Sequence, residues 1–234
     1  MVTANKTAVA KHYDALHACA EAGGVRLAYS AAVGGGAPVL ETVARAAARG
    51  RIGEITCILN GTVNFILDRL ADGIPADVAL REARDCGFAE EDCEADLSGA
   101  DSAAKLRIVA REAFGIDETS LDVTVERLDA VGFTRIGASG ERWVQVARLK
   151  QQSGSLEASV RLRPLSAIDG LPPVSREWNC AAITLVDGRI LSCSGRGAGG
   201  PATAEAIVGD LYDIVRRRDQ TAPGTEAQSR IAAS

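Results

Sequence analysis

Halfway along, the sequence changes texture. Up to about residue 115, apolar residues recur at helical spacing in segments that stop at glycine; beyond about residue 142, they alternate or run continuously as strands do. An alanine-rich stretch over residues 8–22 stops at Gly23-Gly24, and "PVLETVARAAARG" opens on Pro38 and closes on Gly50, as a helix favours. "PADVALREARDCG" and "SGADSAAKLRIVAREAFG" read as two more helices, with five acids packed between them in "FAEEDCEAD". "VRLAYSAAV" (25–33) reads as a strand, and "EITCILNGTVNFILDRLADG" as a strand, a break at Asn60-Gly61 and a helix to Gly73. In the second half, "RWVQVARLKQ", "SLEASVRLRPL" and "EWNCAAITLVDGRILSCSG" predict an antiparallel or mixed sheet, with Asp187-Gly188 as a hairpin turn. Helices must then cover its apolar face. The expected class is α/β (α+β), a mixed β-sheet covered by helices on one face.

Composition narrows the function. A chain of 234 residues, 47% hydrophobic, can bury a substantial core. A net charge of -5 and 4% aromatic residues offer neither a basic field nor stacking rings, so no nucleic acid partner is expected. No stretch approaches the roughly 20 apolar residues of a membrane helix, and "MVTANKTAVAKHY" lacks the apolar run of a signal peptide. The expected location is cytoplasmic, with no membrane partner. The six cysteines form no CxxC pair and read as reduced thiols. His12 and His17, the only histidines, disfavour a histidine-rich metal site or a Ser-His-Asp triad.

Chemistry is most concentrated in "DLSGADSAAKL" (96–106). Ser98 and Asp101 have the spacing of a capping box, and Asp101 and Lys105 stand at i and i+4 on one helix face. Alone, the eleven residues do not decide whether the pair is a surface contact of about 0.2–0.5 kcal/mol or the centre of an enzyme. "VTANK", "SAAVGGGAP", "ILNGTVNFIL" and "GRGAGG" each have an equally plain account as turns.

In combination and order these segments resemble the homoserine dehydrogenase family: "TANK" before a helix, a glycine turn with proline, "NGTVNFIL", the block "GFAEEDCEADLSGADSAAKL", and a C-terminal GxGAGGxxTAxA element. The resemblance is close over residues 2–114 and looser over 143–217. It implies NADP- or NAD-dependent interconversion of L-homoserine and L-aspartate 4-semialdehyde, on the route to threonine and methionine. Lys105 matches the general acid and base, Lys6 a second lysine near cofactor and substrate, and Asp101 a carboxylate beside them. Partial burial and the Lys6 charge would lower the Lys105 pKa, with Asp101 pulling the other way. Glu90 matches the glutamate that binds the substrate ammonium, with Asp96, Thr62 and Gly61 in the same pocket. Lys6, Gly87, Gly197, Ala198 and Gly199 are the expected cofactor contacts. Backbone carbonyls of Ser30, Val33, Gly35 and Ala37 match a sodium site in the glycine turn, although Ser30 stands where many relatives have glutamate.

The resemblance also divides the chain. Residues 1–24 correspond to the C-terminal remnant of a Rossmann nucleotide-binding domain, 25–195 to the catalytic and dimerisation domain, 196–217 to a helix returning to the nucleotide side, and 218–234 to a disordered tail. No G-x-G-x-x-G opens a βαβ unit, and neither "VGGGAP" nor "GRGAGG" substitutes for one. Three accounts follow: a longer gene product, a separate nucleotide-binding chain, or an inactive relative that binds substrate or dimerises. The stretch 115–142 is shorter than its family counterpart. In that family the later strands form the sheet through which two subunits pair, so the resemblance implies a homodimer.

Overall fold

A computed structural model describes residues 1–117, 120–152, 154–197 and 199–221, with side chains of the last helix as far as Arg216. In chain order the elements are α1 (Lys6–Ala22), α2 (Ala31–Gly34), α3 (Val39–Ala47), β1 (Ile52–Ile58), α4 (Gly61–Ala71), α5 (Ala76–Asp85), α6 (Glu94–Leu97), α7 (Ala100–Phe114), β2 (Val123–Val125), α8 (Ala130–Gly137), β3 (Trp143–Gln152), β4 (Ser155–Pro164), β5 (Trp178–Leu185), β6 (Ile190–Arg196) and α9 (Gly200–Thr221). The strands form one mixed sheet in the order β2-β4-β3-β1-β5-β6. The β2–β4 pair is parallel, and the other pairs are antiparallel.

Strand alternation decides what each face meets. Ile55 and Cys57 of β1, Leu149 of β3, Val160 of β4 and Ile183 of β5 turn to one side, where they pack with Val43 of α3 and with Leu106 and Val109 of α7. Each fully buried aliphatic side chain there contributes about 1.5–3 kcal/mol. A second cluster joins α4, α5 and α8 through Ile66, Leu67, Ala79, Ala83 and Ile136. On the opposite side Ile58, Val144, Val146 and Cys180 are covered by the segment after β4, through Leu165, Ile168, Leu171 and Val174. Beyond that cover the face is charged: Arg148 grips Glu54 on the adjacent strand with two hydrogen bonds of 2.7 and 2.8 Å. The mixed sheet with helices on one face is therefore as expected.

Several local expectations change. "VRLAYSAAV" forms no strand; Ala28 makes an isolated parallel bridge to Val2, and Ala31 onward winds into α2. A ladder needs a continuous neighbour, and among the described residues the backbone beside Ala28 is supplied by Met1 and Thr3, at 3.0 Å each. β2 and α8 were not foreseen within 115–142. Asp129 caps α8 by accepting the Gly132 amide at 2.9 Å, a start signal diluted by the glycines at 132 and 137. α9 continues to Thr221, past the expected end at 217, while residues 222–234 of the expected tail lie outside the described residues. Val9 of α1 belongs to the main core, so the first helix is anchored on the sheet domain. Its His12 is exposed at a kink, and the His17 ring nitrogen meets the Tyr29 hydroxyl at 3.0 Å. All six cysteines are free thiols.

Candidate active site

Gly99 starts the helix that carries the central pair. Its φ of +78° suits glycine, and a Cβ there would stand 2.6 Å from Val125 Cγ1. This turn replaces the expected capping box: Ser98 closes α6, and its Oγ meets the Ala100 amide at only 3.4 Å. Asp101 does not reach back to cap because both of its oxygens are engaged inward. Oδ2 lies 2.9 Å from Lys105 Nζ, one turn along α7, and Oδ1 pairs with Lys6 Nζ. Lys6 arrives at that position because Asn5 caps α1, its side chain accepting the Ala8 amide at 3.0 Å. The Asp101 side chain is 3% exposed, Lys105 13% and Lys6 41%, so the cluster opens towards solvent through Lys6.

Two further elements close the site. Lys105 Nζ also donates to the Leu59 carbonyl at 2.7 Å, just beyond β1. Asn60 follows and caps α4: its Oδ1 accepts the Val63 amide at 2.9 Å, while Nδ2 donates to Asp96 Oδ1 at 2.8 Å and to Asp101 Oδ2 at 3.3 Å. Gly61, the first residue of α4, is buried, and Thr62 donates its hydroxyl to the Phe88 carbonyl. That bond pins the loop bearing Glu90, which is exposed and near enough for its charge to act on Lys6. Gly87, φ +71°, makes the turn into this loop.

The charges shift one another. Burial works to raise the Asp101 carboxyl, but Lys105 and Lys6 outweigh it and hold it below the usual carboxylate range. Burial pushes Asp96 up, assisted by the Asp101 charge and only partly offset by the Asn60 amide and the two lysines. Lys6 is held above the ordinary lysine value: burial acts to lower it, and the carboxylates of Asp101, Asp96 and Glu90 prevail.

The glycine-rich stretches meet behind the site. Gly36 N donates to the Arg196 carbonyl at 2.8 Å, and a Cβ on Gly195 would stand 2.5 Å from the Gly36 carbonyl oxygen. A Cβ on Gly197 would overlap the Asn179 amide. Asn179 is fully buried and donates Nδ2 to Gly34 O at 3.2 Å and to Leu59 O at 3.4 Å. Gly199, φ +97°, leads into α9; Ala198 lies outside the described residues. The Ser30 carbonyl accepts the Val33 and Gly34 amides and the Ala37 carbonyl accepts that of Val39, whereas the Val33 and Gly35 carbonyls accept no loop amide among the described residues. Ser30 itself is held by Asp210, which accepts its hydroxyl at 2.7 Å and its amide at 3.1 Å. Among the described residues, no group of three or more His, Cys, Asp or Glu side chains could hold a metal ion.

Lys6, Asp96, Asp101 and Lys105 thus converge, with Gly61, Thr62 and Glu90 at their border. Sequence reading missed two buried asparagines that support the cluster, Asn60 through Asp96 and Asp101 and Asn179 through the Leu59 carbonyl. Asn60 stood out only as a turn, although an asparagine before an apolar helical run is a cap signal. Asn179 is a polar residue inside the apolar run "WNCAAITL", a signal of a buried hydrogen-bonding role.

Two ammonium groups sharing one buried carboxylate, under the helical face of a mixed sheet, define an α/β protein with a charged cleft suited to acid–base chemistry. The sequence model of the homoserine dehydrogenase family matches residues 38–212, and the chain belongs to that family. A homoserine dehydrogenase from Corynebacterium glutamicum is 34% identical over 99% of this chain, which covers 54% of that protein. The crystal structure of a homoserine dehydrogenase from Thiobacillus denitrificans superposes with a TM-score of 0.79 at 32% identity, over 94% of this chain and 52% of its own. A mutant hyperthermophilic archaeal homoserine dehydrogenase in complex with NADPH gives a TM-score of 0.74 at 26% identity, over 92% of this chain and 64% of its own. The chain therefore spans about half the length of the curated relatives it matches. Among the described residues no helix is long and apolar enough to cross a membrane.

Proposed function

We propose that this chain is the substrate-binding, catalytic and dimer-forming portion of a homoserine dehydrogenase, interconverting L-homoserine and L-aspartate 4-semialdehyde with NADP or NAD. One observation carries the reading. A lysine ammonium has three donors, and Lys105 commits two, to Asp101 Oδ2 and Leu59 O. Among the described residues the third has no partner and is left to address a substrate oxygen. A proton donor at that point is what an aldehyde needs as it becomes an alcohol.

The other roles follow from position. Lys105 gives its proton to the aldehyde oxygen in reduction and takes the hydroxyl proton back in oxidation. Asp101 orients Lys105, and Lys6, the more exposed ammonium, stands where substrate and cofactor meet. Glu90 and Asp96 offer carboxylates to the substrate ammonium, with the Gly61–Thr62 helix start beside them. The dinucleotide, when bound, supplies the hydride or receives it. Its place fits Lys6, Gly87, Gly197, Ala198 and Gly199, because the N-terminus of α9 at Gly200 follows Gly199 directly and the positive end of the helix dipole favours phosphate. A sodium ion at the carbonyls of Ser30, Val33, Gly35 and Ala37 is supported by the Val33 and Gly35 oxygens, which loop amides leave open among the described residues. The face of the sheet away from the helices, with Glu54, Arg148 and Arg161 around a 690 Å³ concavity, is the proposed homodimer surface.

The test is an assay of this chain with L-homoserine and NADP, together with its melting temperature as NADP is added. Turnover is the expected result. No turnover and no cofactor-induced rise in melting would overturn the enzymatic reading and leave a substrate-binding or dimerising module, or a partner for a separate nucleotide-binding chain.

A further inference from the structure

We infer that Asn60 is a positioning residue of this site: its amide nitrogen ties Asp96 to Asp101 and aims both carboxylates at the cleft. The inference rests on the reading of Asp96 as a carboxylate that holds the substrate ammonium. Asn60 is 2% exposed, so its amide has no solvent alternative. Its orientation is forced. Oδ1 accepts the Val63 amide at 2.9 Å, which turns Nδ2 towards Asp96 at 2.8 Å and Asp101 at 3.3 Å. A flipped amide would present an oxygen to two acceptor-only groups and a nitrogen to an N–H donor.

Capping alone does not require asparagine here. Serine, threonine and aspartate cap a helix about as well. Only asparagine combines the capping oxygen with donors that reach the two acids. Those donors oppose a specific difficulty: Asp96 is partly buried and stands close enough to Asp101 for the two charges to repel. The charges facing Asp96 are Lys6 from α1 and Lys105 and Asp101 from α7. Lys6 and Lys105 are both engaged on Asp101. Asn60 is the neutral group that holds Asp96 in register with that pair, and through Asp101 it also steadies Lys105.

Two substitutions separate this role from capping. Asn60→Ser keeps a capping oxygen and removes the amide nitrogen that reaches both acids; Asn60→Asp keeps the shape and the cap and adds a third negative charge. In carboxyl-13C NMR titrations of the whole chain, the Asp96 midpoint should move to higher pH in Asn60→Ser and further in Asn60→Asp. The thermal midpoint should stay within a few degrees of wild type in Asn60→Ser and fall further in Asn60→Asp, which buries a third carboxylate against two others. Calorimetric binding of L-homoserine at pH 7 should weaken about tenfold or more, and the acid limb of the affinity–pH profile should move to higher pH. In wild type, the Asn60 side-chain NH2 resonances should follow the Asp96 titration, a measurement that needs no variant to fold. An Asp96 midpoint unchanged in a folded Asn60→Ser chain, or wild-type NH2 resonances indifferent to Asp96, would overturn the inference. If Asp96 responds as described but wild type binds no homoserine, the Asn60 contact stands and the dehydrogenase reading falls.

Discussion

At the scale of single residues, the site depends on Asp101 being satisfied from two directions. Lys105→Ala removes one ammonium, yet leaves Asp101 its contacts with Lys6 and Asn60. Turnover should fall by at least about a hundredfold, the usual contribution of a positioned acid or base, while circular dichroism and the melting midpoint change little. A variant that simply unfolds would make the pair structural. Asp101→Asn tests the electrostatics. Because the folded Asp101 carboxyl lies below its unfolded value of about 3.9, ionised Asp101 stabilises the fold above that pH, and the contribution is lost as acid protonates it. The unfolding free energy from urea melts at neutral pH should therefore drop for Asp101→Asn, by about 3–5 kcal/mol for a broken buried pair. The difference from wild type should narrow below about pH 4. Lys6 has the opposite sign: its raised pKa means that the ammonium's contribution is present below its ordinary value of 10.5 and is lost only as alkali passes the folded value.

Among the elements, the start of α7 matters most, since it sets where Asp101 and Lys105 point. Gly99→Ala places a Cβ in a left-handed turn and 2.6 Å from Val125 Cγ1. The backbone conformation alone costs about 1–2 kcal/mol, and a urea melt should show at least that loss together with reduced turnover. The helices α3, α5 and α7 were legible because each carries a regular apolar spacing and an end signal of its own. The stretch 25–33 departs from the expected strand for the complementary reason. Its apolar residues carry strand propensity, but propensity does not supply a neighbouring strand, and Ala31–Gly34 coils into α2 beneath α3. β2 is not legible in the sequence because three residues give no period, and their place is fixed by β4 alongside.

For the whole molecule, the sheet separates two jobs: its helical face positions the charged centre, and its other face is the proposed dimer surface. Arg161, in register with Val146, points to that second face. Arg161→Glu should shift sedimentation velocity profiles from dimer to monomer without lowering the monomer's melting midpoint; an unchanged dimer would place the interface elsewhere. A standard interface of about 800 Å² per partner is within the reach of such a sheet. The sequence by itself determined the helices with their own caps, the alternation that makes a one-sided sheet, and the residues capable of acid–base chemistry, because these follow from local spacing and residue type. Only tertiary structure decided that Lys6, at the first turn of α1, meets Lys105 on the two oxygens of one carboxylate, that Asn60 donates to that carboxylate, and that Asn179 braces the Leu59 carbonyl which Lys105 also meets. Such contacts join segments far apart in the chain, and packing around the sheet, which no local pattern encodes, brings them within hydrogen-bonding distance.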